Sequence, residues 1–293
     1  MSETFKDRDW SILLERINNQ RCVPFLGAGA SFPTLPLGST IAADRAREYN
    51  YPGDNPKNLV EVAQYLAIQY DILFPKEKVS KQLDGAAPPD FNAADEPHAL
   101  LAELPLTIYL TTNYDDFMIS ALERRSRDVR RDFCRWNDLV KDEPSVFDNF
   151  TPDVANPVVF HLHGHSKLPE SIVLTEDDYL HFLAIMGRDK LLPEVIQRAI
   201  ARSTCLFIGY RLADWNFRVL FQGLRAGSIA GGSIAVLKPP GDDELAGRQR
   251  EYLDRYYANI DLKIYWGTAQ EFTIELRDRW EKFNKVWNGL SRK

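Results

Sequence analysis

The chain has 293 residues, 44% of them hydrophobic and 27% charged, with a formal net charge of −6. That composition is ordinary for a folded globular protein, and the length suffices to bury a sizeable core without staples. The acidic balance argues against a surface built to hold nucleic acid, and no apolar run reaches membrane-spanning length.

Trp10, Leu13, Leu14 and Ile17 recur at helical spacing and predict an opening helix. Cys22–Leu26 follows as a short buried strand, with Pro24 an awkward residue for a central position. Residues 36–105 are too long for one crossover helix. With Leu59, Val62, Ala63 and Leu66 on one face, and turn-rich stretches at Tyr51–Lys57 and Gly85–Pro97, they predict an inserted helical subdomain. Strands are expected at Leu106–Thr111, Pro157–Leu162, Cys205–Gly209, Ser233–Leu237 and Asp261–Trp266. Helices are expected at Asp214–Leu224, Asp243–Tyr256 and Gln270–Trp287. The basic run Arg124, Arg125, Arg127, Arg130 and Arg131 is assigned to a solvated helix end and loop rather than a phosphate patch. Strands alternating with helices predict one α/β domain over residues 1–293. It is a doubly wound, Rossmann-like parallel sheet of about six strands, with its core in residues 1–35 and 106–293.

Cys22, Cys134 and Cys205 are widely spaced and form no CxxC pair, which excludes a disulfide framework and a local zinc ribbon. The opening MSETFKDRDW has no apolar core of a signal peptide, so a reducing, cytoplasmic compartment is expected.

Four constellations sit at the carboxyl ends of predicted strands, where open parallel sheets bind ligands. Gly27-Ala28-Gly29-Ala30-Ser31 can present backbone N–H groups to a pyrophosphate or be a plain tight turn. Phe32 occupies the third-glycine position of GxGxxG, so the run is not the dehydrogenase fingerprint. Thr111-Thr112-Asn113-Tyr114-Asp115 can line a ribose or amide pocket, or cap the helix carrying Phe117, Ile119 and Leu122. His161-Leu162-His163-Gly164-His165 lacks the further ligands of a zinc site; it offers a general base or a core histidine. Phe207–Asp214 again ends a strand in glycine. Gly209, Tyr210 and Arg211 stand where a nucleotide would pass, and Asp214 is a helix cap.

The order GAGAS, TTNYD, LHG and a later glycine-ended strand resembles the sirtuin NAD-binding core from Val23 to about Leu237. The stretches HLHGH, IVLTEDDY and FIGYRLADWNF are most similar to bacterial sirtuin-like proteins that hydrolyse NAD⁺ in antiphage defence. The resemblance implies phosphate contacts at Gly27, Ala28, Gly29 and Ser31, loop support from Asp115, and ribose contacts at Gly209 and Tyr210. It implies Asn113 as the residue orienting ribose, nicotinamide or water, and His163 as the base. Tyr210 departs from the small or hydroxylated residue usual there, which puts that contact in doubt. Residues 165–172 leave no room for the zinc ribbon of the deacylases, so neither zinc nor protein deacylation is expected, and water becomes the natural acceptor.

The expected function is therefore cleavage of NAD⁺ to nicotinamide and ADP-ribose. The resemblance implies control by a homo-oligomer or a partner: a HerA-type hexameric ATPase first, a short prokaryotic Argonaute second. The helical insertion and a stripe of Trp280, Phe283 and Trp287 are candidate contact surfaces, with core packing the plainer reading of the stripe. Two other readings stand beside this one. The first is a non-catalytic NAD⁺- or ADP-ribose-binding assembly subunit. The second is a nuclease subunit using Asp115, Asp116, Glu176, Asp177 and Asp178.

Overall fold

Short runs rich in β-branched and aromatic residues form seven strands in the computed structural model, which describes residues 5–186, 191–210, 232–241 and 244–290, with side chains to residue 285. They are β1 (Cys22–Leu26), β2 (Ile108–Thr111), β3 (Arg130–Phe133), β4 (Val158–His161), β5 (Thr204–Ile208), β6 (Ser233–Leu237) and β7 (Leu262–Trp266). All neighbours run parallel, in the order β3-β4-β2-β1-β5-β6-β7. The expected doubly wound Rossmann-like sheet is present, with one strand more than its sequence pattern predicts. From β1 the chain builds outward through β2 to β3, then returns to the other flank with β5. The direction of winding therefore reverses beside β1, and the carboxyl ends there open a crevice.

The extra strand is β3. Its burial runs from exposed Arg130 to buried Phe133, so the continuous apolar run that marks β1, β2, β4, β5 and β6 is missing. Charged residues are common on edge strands, where they discourage pairing with other chains. The arginines assigned to a loop are held internally: Arg131 pairs with Asp116, Arg130 with Asp128 and Arg125 with Glu103. Arg127 donates to the carbonyls of Leu104 and Leu106.

Successive strand residues face opposite layers, as a pleated strand requires. Cys22, Leu26, Tyr109, Val159, Leu206 and Ile208 join one core with helices α1 (Asp7–Asn18), α5 (Pro97–Glu103), α6 (Phe117–Arg124) and α10 (Ala269–Leu290). Val23, Phe25, Leu110, Phe160, Cys205 and Phe207 join the other, beneath α7 (Glu176–Met186), α8 (Glu194–Arg202) and α9 (Glu244–Ala258). Trp280 is buried in the first core and stacks on Phe283, with ring centroids 5.7 Å apart. All three cysteines are free and buried. Pro24 is tolerated in central β1 because the ladder to β2 begins one residue later, at Phe25 opposite Leu110.

Between β1 and β2 lie α2 (Gly38–Glu48), α3 (Leu59–Gln69), α4 (Phe74–Asp84) and α5. The first three build two small apolar clusters: Ala42, Val62 and Leu66 form one, and Ile41, Ala63 and Val79 join Ile172 and Leu174, ahead of α7, in the other. By contrast α5 packs into the main core through Leu100 and Leu101. The α2–α4 group is tied to α7 by polar contacts. Lys76 and Asp178, each only 2% exposed, form an ion pair of 2.9 Å, and Asp178 also accepts from the N–H groups of Leu174 and Thr175. Gln64 donates to Asp177 at 2.8 Å. The helix expected at Asp214–Leu224, Arg211, the residue Asp243 and the Trp287 side chain lie outside the described residues.

Candidate functional site

Glycine in the β1 and β5 loops answers first to a backbone requirement. Gly29 N–H donates to the Gly209 carbonyl at 2.9 Å, and Gly27 N–H donates to that of Ile208 at 2.9 Å. Gly209 adopts φ +82°, a conformation that disfavours side chains, and a Cβ there would lie 2.3 Å from the Ala30 nitrogen. A Cβ on Gly27 would stand 2.8 Å from the Gly209 carbonyl oxygen, and one on Gly29 would stand 2.9 Å from the Gly209 Cα. The two loops are therefore pressed together, and Ala28–Ala30 make one short 3₁₀ turn between β1 and Ser31.

The β2 loop is fastened to this pair. Asn113 donates its side-chain amide to the Gly27 carbonyl and to Ser31 Oγ, both at 3.1 Å. Ser31 Oγ donates to Asp115 Oδ2 at 3.0 Å, while Asp115 Oδ1 accepts the Phe117 N–H at the start of α6. The helix-capping role thus falls to Asp115 and leaves Asn113 to the glycine loop. Thr112 Oγ1 donates to the Tyr210 hydroxyl at 3.1 Å, and that hydroxyl donates to the Leu26 carbonyl at 3.0 Å. Tyr210 thereby spans β5 and β2 across β1. Among the described residues, no hydrogen bond occupies the Asn113 side-chain oxygen.

The three histidines divide between two surroundings. His163 lines the cavity described below, 6% exposed, with Tyr179 and Phe182 edge-on at centroid distances of 5.5 and 5.1 Å. Burial alone lowers its pKa to about 4, so the ring is neutral at pH 7 with a lone pair free. His161 contacts the Asn113 backbone carbonyl through Nδ1 at 3.0 Å, a support for the asparagine that spacing alone does not reveal. Burial lowers the pKa of His161, and that of His165 to about 3, with the His161 and Arg131 charges adding to the latter.

These depressed values link stability to pH. A histidine that titrates near 6.5 unfolded and near 4 folded takes its proton first in the unfolded state. Its stabilisation is then complete above 6.5 and is lost as pH falls towards 4. His163 alone should remove about 2 kcal/mol by pH 5. Urea midpoints should therefore drop between pH 7 and 5, and drop less in His163→Gln. Midpoints that stay flat over that window in the wild type would contradict the assignment.

Gly27, Ala28, Gly29, Ser31, Asn113, Asp115, His163, Gly209 and Tyr210 all line one cavity of about 790 Å³ at the carboxyl edge of the sheet. That volume suits a dinucleotide-sized ligand. Its wall opposite the sheet comes from residues that strand-end reasoning passes over: Leu37 to Ile41, Asn55 to Val60, and Val79 and Leu83 of α4. Tyr179, Val236, Lys238 and the Gly267–Gln270 turn complete it. Gln270 donates to the Phe32 carbonyl at 2.9 Å and so ties α10 to the chain beyond Ser31. Of these, Lys238 had a legible signal, since it directly follows a strand. Of the five carboxylates weighed for metal, four are engaged elsewhere: Asp115 by Ser31 and the Phe117 N–H, Asp116 by Arg131 and Lys167, Asp177 by Gln64 and Asp178 by Lys76. No group of three or more histidine, cysteine or acidic side chains able to hold a metal occurs among the described residues. No helix among them is long and apolar enough to cross a membrane.

A parallel sheet whose winding reverses at β1, with a glycine floor, Asn113 and the buried His163 lining one cavity at its carboxyl edge, has the geometry in which open α/β sheets take ligands. The chain belongs to the SIR2-like domain family, whose model matches residues 107–260, just over half of it. It is 25% identical over 231 residues to the NAD(+) hydrolase ThsA of Acinetobacter baumannii (strain 532279), covering 75% of this chain and 43% of that protein. It is 29% identical over 222 residues to the protein of the same name from Enterococcus faecium, covering 72% and 41%. To the Defense-associated sirtuin 2 of Bacillus subtilis it is 28% identical over 221 residues, covering 73% and 20%. The chain thus spans at most about two fifths of the length of these relatives.

Proposed function

We propose that this chain is an NAD⁺ glycohydrolase acting in antiphage defence, releasing nicotinamide and ADP-ribose. The observation that carries the reading is the meeting of Asn113 and His163, from separate strands, with the β1–β5 glycine floor in one dinucleotide-sized cavity. The relatives named NAD(+) hydrolases support the substrate, and the name Defense-associated sirtuin 2 supports the setting.

In the proposed reaction the bond from ribose C1′ to the pyridinium nitrogen breaks. Its electron pair goes to that nitrogen, and nicotinamide leaves neutral. The ribose passes through an oxocarbenium-like state, as in glycoside cleavage, and a water oxygen bonds to C1′. The Asn113 side-chain oxygen accepts from the ribose or the water, and His163 takes the proton. Because Asn113 is already held by Gly27 and Ser31 and braced by His161, little ordering is left for substrate to impose.

Unrestrained cleavage would exhaust a cell's NAD⁺. The proposal therefore includes a cytoplasmic enzyme gated by self-assembly or by a partner, a HerA-type ATPase ahead of a short prokaryotic Argonaute. The test is nicotinamide release from NAD⁺ by the purified chain, alone and with its co-encoded neighbours. Asn113→Ala should reduce release at least ~100-fold, the scale of losing one preorganised polar contact to the transition state. NAD⁺ bound but intact under every condition would leave the binding-module reading in its place.

A further inference from the structure

The cavity has two arms, and their chemistry differs. It runs along the carboxyl edge in the strand order β4-β2-β1-β5-β6-β7. Asn113 and His163 stand at the β2 and β4 end, and the glycine floor at β1 and β5 is central. A dinucleotide with its pyrophosphate on that floor and its nicotinamide ribose beside His163 has to extend its adenosine past β5, towards β6 and β7. The described residues lining that arm are Val236, Lys238, Gly267, Thr268, Ala269 and Gln270. Lys238 is the charged one among them. It follows the last residue of β6, is exposed, and forms no ion pair among the described residues.

Adenosine ribose recognition in α/β dinucleotide sites turns on charge. A carboxylate accepts from the 2′- and 3′-hydroxyls and repels a 2′-phosphate, whereas a nearby cation accommodates that phosphate. Among the described residues lining the cavity the carboxylate is Asp115, on the other arm and already bonded to Ser31 Oγ and the Phe117 N–H. Building on the NAD⁺ reading above, we infer that the adenosine arm admits a 2′-phosphate and that Lys238 receives it, so NADP⁺ is a substrate alongside NAD⁺. The cleaved bond and the proton transfer are the same for both dinucleotides; the products from NADP⁺ are nicotinamide and 2′-phospho-ADP-ribose. A flexible ammonium is a point-charge phosphate ligand that imposes no planar geometry, which suits tolerance of both dinucleotides.

The experiment measures kcat/KM for nicotinamide release from NADP⁺ and from NAD⁺, and in parallel the affinities for 2′-phospho-ADP-ribose and ADP-ribose by calorimetry. The wild type should cleave NADP⁺ within about tenfold of NAD⁺, and the NADP⁺/NAD⁺ ratio should fall at least ~10-fold in Lys238→Ala and further in Lys238→Glu, the scale of losing one hydrogen bond to a charged group. The ratio of the two affinities should move in the same direction. Cleavage of NAD⁺ with NADP⁺ left intact overturns the inference. So does a Lys238→Ala variant that loses both substrates equally, which would place the lysine on the pyrophosphate. If neither dinucleotide is cleaved, with the co-encoded neighbours present as well as absent, the glycohydrolase reading fails, while the two affinities still decide whether the arm takes the 2′-phosphate.

Discussion

His163→Ala should lower NAD⁺ cleavage at least ~100-fold at saturating substrate while ADP-ribose still binds, because a positioned general base contributes about 10²–10⁴-fold. The ring is held by Tyr179 and Phe182 and has no charged neighbour among the described residues, and His161 and His165 face a separate surrounding, so neither of them stands in for it. The pH profile offers a second readout. Burial places the free-enzyme pKa at about 4, so kcat/KM should hold level from pH 8 through 6 and fall only on approach to 4. Bound pyrophosphate brings negative charge that favours the protonated ring, so the corresponding limb of kcat should lie at higher pH. Near-wild-type turnover in the alanine variant would remove His163 from the mechanism. A kcat/KM limb centred between 6 and 7 would contradict the burial-lowered pKa of the base.

Asp178→Ala should destabilise the fold by about 3–5 kcal/mol, the usual cost of leaving one partner of a buried ion pair uncompensated. Lys76 is 2% exposed, and without Asp178 its ammonium would keep, among the described residues, the Trp136 ring, 5.2 Å from its centroid. Lys76→Met should cost less, because Asp178 would still accept from the N–H groups of Leu174 and Thr175. Pairing Lys76→Met with Asp178→Leu should recover most of the loss, since an apolar replacement of the whole pair removes both desolvation penalties. Urea unfolding of the four proteins measures this. An Asp178→Ala loss under about 1 kcal/mol would show that water reaches the pair. The effect bears on the site, because α4 supplies Val79 and Leu83 to the cavity and α7 supplies Tyr179 against His163.

The strands on either side of β1 were legible because each is a compact apolar run ending in a turn former, and chain order then placed their carboxyl ends together. That logic places Gly27, Asn113, His163 and Gly209 along one edge of the sheet, where they line one cavity. Strand β3 escaped it, since Arg-Arg-Asp-Phe buries only its last two residues and carries no periodic signal. The wall opposite the sheet escaped it for another reason. Asn55 to Val60 reach the cavity only because α2–α4 fold back over the strand ends, an arrangement set by tertiary contacts such as Lys76 to Asp178, 102 residues apart. The histidine run was ambiguous in sequence because period two puts all three residues on one face only while the strand lasts. Past His161 the chain leaves β4, and Gly164, at φ +79°, turns it so that His165 returns towards His161 and His163 does not.

The pressed contact between the β1 and β5 loops also bears on how such a domain can drift in sequence. A Cβ on Gly27 or Gly29 would meet the backbone of Gly209, and one on Gly209 would meet the backbone of Gly27, Gly29 and Ala30, so no single change among the three finds room. Exploration at these positions has to proceed by concerted change of loop length or path. The floor of the crevice is thereby held as a block, while Lys57 and Lys238, exposed at its rim, meet no such backbone constraint.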